Sequence, residues 1–497
     1  QAPVSCNAPS AMPENEGTAC GFLPCDADAA DADEVVVEEP QDAAGKKTLS
    51  VVKILERLDD RKLQVQNTWL MGWFGQNLNQ YSPFGQISTA DKAAFVHEAK
   101  SEPLMDKAMG CMCGMAVADG LGHMFEFLPA VDEPNPQRHY FDVEKDTFRV
   151  PKNTFSLRRG QWTDDCSMGL CIADSLILKR KFDGSDQRIR FWSWWFGGYN
   201  NAFRKETNRS HSVGLGGNIS RSLFSLSSGV LPSPRFDSKT EDAGNGSIMR
   251  LAPLPIFYRS ASQEELFQLA RDSSYTTHPG IIAAEACCLL AHILVRALEV
   301  ALEPAPDARS FLDSACQAYL DQLGERNGWG YDQMRQLASS SPQRDTEACW
   351  NWREYPLRIQ QTLRARGDTY NGYPVSAGYF GSYAPDAMAI ALHCVYHSQS
   401  FEGTIAHCIN LLGDADSTGS VAGQIAGALY GYSRIPRRWL QDLEGWDDHE
   451  VPLRGALLLA LGRDPSAFPA SPSPGAKRDS SPLALCPRRS SSWMGCG

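Results

Sequence analysis

Apolar residues recur at helical spacing through the middle of this chain, in runs at about 105–127, 164–182, 262–272, 281–302, 309–323, 354–366, 384–397, 401–411 and 418–431. Recurrence at i, i+3, i+4 and i+7 places such side chains on one face of a helix, and strand-like alternation is scarce, so the interior is expected to be predominantly α. No fixed-period repeat supports a solenoid. The most apolar run, Ile281 to Leu302, is interrupted by Glu285, His292, Arg296 and Glu299. It predicts a buried helix rather than a membrane span, which needs about 20 predominantly apolar residues. Ahead of this pattern, Val51, Val52, Ile54, Leu55, Leu58, Leu63 and Val65 also recur at helix-like spacing and lead into an aromatic segment, Trp69 to Phe74. These residues predict a helical extension over 48–104, docked on a main domain of 105–464.

Composition adds most at the two ends. Residues 1–47 are rich in Asp, Glu, Ala and Pro, with no Lys or Arg before Lys46, and residues 465–497 are dominated by Pro, Ser, Gly and basic residues such as Lys477, Arg478, Arg488 and Arg489. Neither stretch has much to bury, and both are expected to be disordered tails. Across the 497 residues, 47 bases against 59 acids leave a net charge of −12. That balance lacks the basic footprint of a duplex-binding protein, so neither a nucleic-acid nor a membrane partner is expected, although a local anion site is still open. The 15 cysteines are odd in number and spread through apolar helical runs, which favours reduced core thiols in a cytoplasmic or nuclear protein. Cys111 and Cys113 stand at i, i+2, on different helix faces, and form no zinc motif. No basic-then-apolar leader is visible, and without coiled-coil heptads the default expectation is a monomer.

Five clusters carry candidate chemistry. Thr163-Asp164-Asp165-Cys166 and Gly413-Asp414-Ala415-Asp416-Ser417 each put two carboxylates and a hydroxyl at a predicted helix start. Taken singly, Thr163, Asp164 and Asp414 are explained as N-caps or first-turn acids. Taken together they offer only oxygen ligands, which suit Mg²⁺ or Mn²⁺ rather than zinc or copper. A third cluster runs from Gly110 to Phe127, where Gly110, Gly114 and Ala118 form an i, i+4 stripe that lets a second helix approach, and Asp119 and Glu126 follow near its end. A carboxylate beside Phe125 and Phe127 is a candidate proton donor or acceptor. Two glycine-rich loops, Gly214-Leu215-Gly216-Gly217-Asn218-Ile219-Ser220 and Gly244-Asn245-Gly246-Ser247, followed by Arg250, allow backbone N–H groups to converge on an anion. Thr277-His278 and the aromatic stretch Arg188 to Arg209 complete the set, the latter read as a packed helix or a cover over a cleft.

In this order the clusters resemble the ADP-ribosylglycohydrolases. Ala118-Asp119-Gly120-Leu121-Gly122 with Glu126, Thr163-Asp164-Asp165-Cys166, Gly244 to Arg250, Thr277-His278 and Leu412 to Ser417 each correspond to a family motif. Cys166 and Ser417 stand where the family has Thr, Leu412 where it has Gly, and Gly120 where Ala is common. The resemblance spans about residues 105–440 and implies an orthogonal all-α, multi-helix domain with a dinuclear Mg²⁺ or Mn²⁺ cleft. It implies Thr163, Asp164, Asp165, Asp414, Asp416 and Ser417 as metal ligands, and Glu126 and Asp119 as the catalytic acids. Gly214, Gly216, Gly217, Gly244, Asn245, Gly246 and Ser247 are implied to hold the pyrophosphate, with His278 and Tyr383 at the adenosine end. The activity implied is hydrolysis of the N- or O-glycosidic bond between ADP-ribose and an acceptor, on an ADP-ribosylated protein or a small ADP-ribosyl metabolite. A non-catalytic ADP-ribose-binding member, or a hydrolase of another phosphorylated glycoside, are the alternatives.

Overall fold

A computed structural model describes residues 48–66 and 77–463, apart from short stretches at 136, 138–139, 150–152, 207, 210, 228–229, 240–242, 371–372 and 375–377. Both tails and the Trp69 to Phe74 segment lie outside the described residues. Helices dominate, as the periodicity predicts. The N-terminal part carries α1 (Val51–Glu56), α2 (Arg61–Gln66) and α3 (Thr89–Ala99), followed by α4 (Pro103–Gly122). Next come α5 (Asp164–Lys179), α6 (Gly184–Gly197), α7 (Gly217–Phe224), α8 (Pro253–Phe257), α9 (Gln263–Tyr275), α10 (Ile281–Glu299), α11 (Ala308–Leu323) and α12 (Trp329–Ser339). The chain ends with α13 (Ile359–Arg366), α14 (Ala384–Tyr396), α15 (Phe401–Ile409), α16 (Ala415–Tyr430), α17 (Arg437–Asp447) and α18 (Glu450–Arg463). Among the described residues, strands are confined to two antiparallel pairs, β1 (Phe141–Asp142) with β2 (Thr147–Phe148) and β3 (Thr369–Tyr370) with β4 (Tyr373–Pro374).

The glycine stripe on α4 finds its partner in a second one on α16. A Cβ on Gly110 would collide with the Gly427 carbonyl, one on Gly114 with the Gly423 carbonyl, and the reverse substitutions collide equally. Backbone-to-backbone contact of this kind is open only to residues without a side chain, so the two stripes fix the axial register of α4 against α16. Two site segments are thereby aligned, because Glu126 follows the end of α4 and Asp414 to Ser417 open α16. Gly122 continues the contact at the site itself, where a Cβ would meet Ala415 and Asp416.

Helix α10 is apolar enough to cross a membrane by composition, but 83% of its most apolar window is buried inside the protein. Helix α6 carries the aromatic residues Phe191, Trp192 and Trp194, all buried. The aromatic stretch is therefore core rather than a cover: none of its described residues lines the main cavity. A buried ionic network ties the N-terminal helices to this core. Lys92 on α3 reaches Glu450 at 2.9 Å and Asp448 at 2.5 Å, Arg204 reaches Glu450 at 2.8 Å, and Arg454 pairs with Asp174 at 2.7 Å. Asp60 pairs with Arg190 at 2.9 Å, and Asp186 meets the same guanidinium at 2.7 Å.

Candidate active site

A cavity of about 480 Å³ opens where the starts of α5 and α16 meet the turn after α4. Thr163 and Asp414 occupy the N-cap positions of α5 and α16, yet neither side chain makes a capping hydrogen bond. For α5 that work is done by Asp119, reaching across from α4. Its carboxylate accepts from Thr163 N at 2.9 Å, Thr163 Oγ1 at 2.8 Å and Cys166 N at 2.9 Å. An acceptor borrowed from another helix satisfies the Thr163 and Cys166 N–H groups at the start of α5 and leaves its own two carboxylates unspent. The Cys166 contact is made by its backbone N–H, which explains how a cysteine is accommodated at this position. Asp119 is fully buried and absent from the cavity wall, so it positions the site rather than touching substrate, contrary to its expected role as a catalytic acid.

Six carboxylates gather around this junction, those of Asp119, Glu126, Asp164, Asp165, Asp414 and Asp416. Oxygens of Asp119, Asp165 and Asp416 lie within 4.8 Å of one another, and so do those of Glu126, Asp414 and Asp416. Asp165 Oδ1 and Glu126 Oε2 are buried with no hydrogen-bond partner among the described residues. Burial raises every member above the usual carboxylate range, and repulsion adds to it at Glu126, Asp164, Asp165 and Asp416: Glu126 is pushed up to about 8 by burial and by Asp414, and Asp119 to about 6 by burial. Asp164, Asp165 and Asp416 are raised further, first by burial and then by their neighbours. Anions this close, with orphaned oxygens, are the donor set of a hard cation, which would relieve the desolvation and the repulsion together. Thr163, Asp164, Asp165, Asp414, Asp416 and Ser417 thus lie where the sequence places a metal centre, although Thr163 Oγ1 already donates to Asp119 and Asp165 is set behind the wall that Asp164, Asp414, Asp416 and Ser417 form.

The rest of the cavity wall has a different character. Gly214, Gly216 and Gly217 line it, with Gly216 as N-cap of α7. Gly214 has φ +87°, and a Cβ there would strike Asp164 Oδ1, so only glycine lets this loop pass over the acid. Gly244, Asn245 and Gly246 form the second loop; Asn245 Nδ2 donates to Asp414 Oδ2 at 2.9 Å and to Gly381 O at 3.0 Å. Ser247 is buried behind this loop, hydrogen-bonded by Ser274 at 3.1 Å, and does not line the cavity, so its expected pyrophosphate role is not supported.

His278 sits under Gly244 and Gly246 rather than out at a far end. The fully buried Arg250 donates to Thr277 Oγ1 at 2.6 Å, and the Thr277 hydroxyl lies 2.8 Å from His278 Nδ1. The other ring nitrogen, Nε2, faces the glycine loop. Burial and Arg250 push the imidazole down to about 3, so it is neutral. Tyr383 walls the other end, its hydroxyl donating to Gln333 at 2.8 Å.

Beside it stand residues that no sequence motif singled out. Tyr370 packs edge-on to Tyr383 at 5.6 Å, and Arg366 lies 3.9 Å over the Tyr370 ring while paired with Asp386 at 2.5 Å. Their signal in the sequence was the density of Tyr and Phe between Tyr370 and Tyr383. Phe127 was likewise overlooked as a site residue. It is 54% exposed next to Glu126, has φ +71°, and stacks on Tyr379 at 5.6 Å. Pairing on either side enforces that backbone, since Phe127 N donates to Gly413 O and Gly413 N to Leu128 O.

An all-α protein whose cleft gathers clustered carboxylates, two glycine loops and an aromatic wall is built as a metal-dependent hydrolase of a phosphorylated glycoside. Comparison with known proteins is specific on this point. The ADP-ribosylglycohydrolase family profile matches residues 100–466. The chain is 29% identical over 353 residues to an ADP-ribosylarginine hydrolase of Pseudomonas putida, covering 70% of this chain and 76% of that one. It is 24% identical to ADP-ribosylhydrolase ARH3 of Homo sapiens (70% and 92% covered) and 26% identical to the ADP-ribosyl-[dinitrogen reductase] glycohydrolase of Rhodospirillum rubrum (72% and 96% covered). A solved structure described as an ADP-ribosylglycohydrolase-related protein complex superposes with a TM-score of 0.51 at 28% identity, covering 72% of this chain and 99% of that one. The protein belongs to the ADP-ribosylglycohydrolase family, and it is a metal-dependent enzyme that hydrolyses the glycosidic bond between ADP-ribose and an acceptor.

Proposed function

We propose that this enzyme removes ADP-ribose from arginine side chains of modified proteins, using two hard divalent cations, Mg²⁺ or Mn²⁺. The observation that carries the arginine reading is the exposed Phe127 ring, which follows Glu126 in the chain and stacks on Tyr379 of the cavity wall. A guanidinium is planar and always cationic, and it is attracted both to an aromatic face and to neighbouring carboxylates. Serine offers neither property. The arginine hydrolase of Pseudomonas putida among the relatives supports the same choice.

Asp164, Asp165, Asp414, Asp416 and Ser417 would hold the two ions, with Asp119 and Thr163 behind them. Bound there, the metal pair would supply Lewis acidity to the ribose hydroxyls and to a water at the anomeric carbon. The chain itself supplies position. The loops at 214–217 and 244–246 present N–H donors to the diphosphate, while Tyr370 and Tyr383 offer faces to the adenine. Glu126 lines the cavity beside Asp414 and Asp416, where it can take the proton of the attacking water or return one to the leaving nitrogen as the carbon–nitrogen bond breaks. Ten described cysteines are free and buried, which supports a reducing compartment such as the cytoplasm.

The test is release of ADP-ribose from peptides mono-ADP-ribosylated on arginine or on serine, with Mg²⁺, with Mn²⁺ and with EDTA, for wild type and Asp414→Ala. Arginine-selective release, abolished by EDTA and by the substitution, is expected. Preferential release from serine would overturn the acceptor, and release undiminished in EDTA would overturn the metal role.

A further inference from the structure

Far from the cleft, three histidines meet on one face of the protein. Tyr383 is the N-cap of α14 and lines the cavity, whereas His393 and His397 lie at the other end of that helix, about 15 and 20 Å along its axis. Their i, i+4 spacing puts both rings on one side of α14, 4.5 Å apart between centroids. His407 on α15 approaches the same point, 5.2 Å from His393. The ring of Tyr355 covers the group, 5.7 Å from His393, 5.4 Å from His397 and 6.0 Å from His407.

All three Nε2 atoms are buried and none has a hydrogen-bond partner among the described residues. One such orphan is unusual in a folded protein, since buried polar atoms are nearly always paired, and here three belong to neighbouring rings. The tautomer is fixed at His393. Its Nδ1 lies 2.9 Å from the Trp352 carbonyl oxygen, which can only accept, so the proton is on Nδ1 and the Nε2 lone pair is free. A ring oriented by a backbone carbonyl through one nitrogen, with the other left bare, has the arrangement of a metal-ligating histidine. Burial and the neighbouring rings also keep His393 and His407 uncharged, pushed down to about 3 and about 4.

We propose that His393, His397 and His407 form a second metal site, distinct from the acidic cleft, for a borderline transition-metal cation such as Zn²⁺ or Ni²⁺. Imidazole nitrogens suit these ions and not Mg²⁺ or Mn²⁺, which take oxygen donors. With metal–nitrogen bonds of about 2.0–2.1 Å in a tetrahedral arrangement, three ring centres stand about 5 Å apart, close to the two separations observed here. The trio is looser than the acidic groups, whose ligand atoms all fall within 4.8 Å. His397 and His407 are only partly buried, so they close on the ion by turning about their own side-chain torsions while His393 stays anchored. Arg309 is the charged neighbour that opposes a cation near His397.

Calorimetric titration of the full-length protein with Ni²⁺, in saturating Mg²⁺ to fill the acidic cleft, tests the assignment. Wild type is expected to take up one equivalent of Ni²⁺ that a His397→Ala, His407→Ala double variant lacks or binds at least tenfold more weakly. Ni²⁺ is also expected to raise the melting temperature of wild type alone. Should the double variant melt early, His407→Gln, which alters one partly buried side chain, supports the same comparison. Equal Ni²⁺ uptake by wild type and His407→Gln would overturn the site, as would the absence of any uptake by wild type.

Discussion

Asp119 shows how one residue can serve a site without facing substrate. Its carboxylate takes three donors from the first turn of α5, two of them backbone N–H groups. Asp119→Ala removes a cap that side chains on α5 do not replace, and caps contribute about 0.5–2 kcal/mol. The expected outcome is a loss of that size in urea unfolding, together with weaker Mg²⁺ binding by calorimetry because Asp164 and Asp165 ride on the freed turn. Glu126→Gln keeps the shape of the side chain but removes its proton exchange. A fall in kcat of about 10²–10⁴-fold is expected, with ADP-ribose affinity retained. Unchanged kcat would exclude Glu126 from the chemistry. At this scale the sequence was readable where residue type limits chemistry, as with the four aspartates of the two helix starts. It was unreadable where neighbours decide: Asp119 was taken for an acid at work, and Ser247 for a phosphate ligand, because neither burial nor direction is visible in a string of letters.

Helix positions were mostly legible as elements, since the apolar period of the central runs carries over to α4, α5, α9, α10, α11, α14, α15 and α16. The start of α13 at Ile359 instead of 354 reflects a turn-rich stretch around Pro356. Helices α12, α17 and α18 were missed. Helix α18 has no polar face to produce a periodic signal, being buried from Glu450 to Leu459. The stripe on α4 announced a close helix contact, but not that Gly419, Gly423 and Gly427 on α16 would provide it. Gly423→Val forces the two backbones apart, and overpacking of this kind costs about 1–3 kcal/mol or more. Thermal unfolding should show the loss. Activity should fall further than stability alone explains, because the carboxylates after α4 and at the start of α16 lose their register; a variant of full activity and lowered melting temperature would contradict this coupling.

Over the whole molecule, the buried ionic network joins the N-terminal helices to α18 and α6. Glu450 is its hub, fully buried and held by Lys92, Arg204 and Arg454, which together keep its carboxyl well below the usual range despite burial. Removing one member of such a cluster strands the others, at a cost of about 3–5 kcal/mol, so Glu450→Ala is expected to unfold at markedly lower urea concentration. The sign of the pH dependence follows from the depressed pKa. The stabilisation is complete above the unfolded-state value of about 4.3 and is lost progressively as pH falls from there towards the folded-state value. The stability gap between wild type and Glu450→Ala should therefore be constant from pH 7 to 5 and narrow below about pH 4.

The sequence by itself determined the fold class and the chemistry available, because period and residue type are local properties: helices wherever apolar residues repeat, hard-cation ligands wherever aspartates open a helix, anion-binding turns wherever glycines cluster. Only the tertiary structure decided which of those groups meet. Helices α5 and α16 begin about 250 residues apart, and their carboxylates share a site because two glycine stripes lock α16 onto α4 and Asp119 pulls α5 to the same end. The same dependence on packing hid the aromatic wall of Tyr370 and Arg366, the exposed ring of Phe127 and the histidine trio. Each depends on a contact between separate segments, which spacing along the chain does not give.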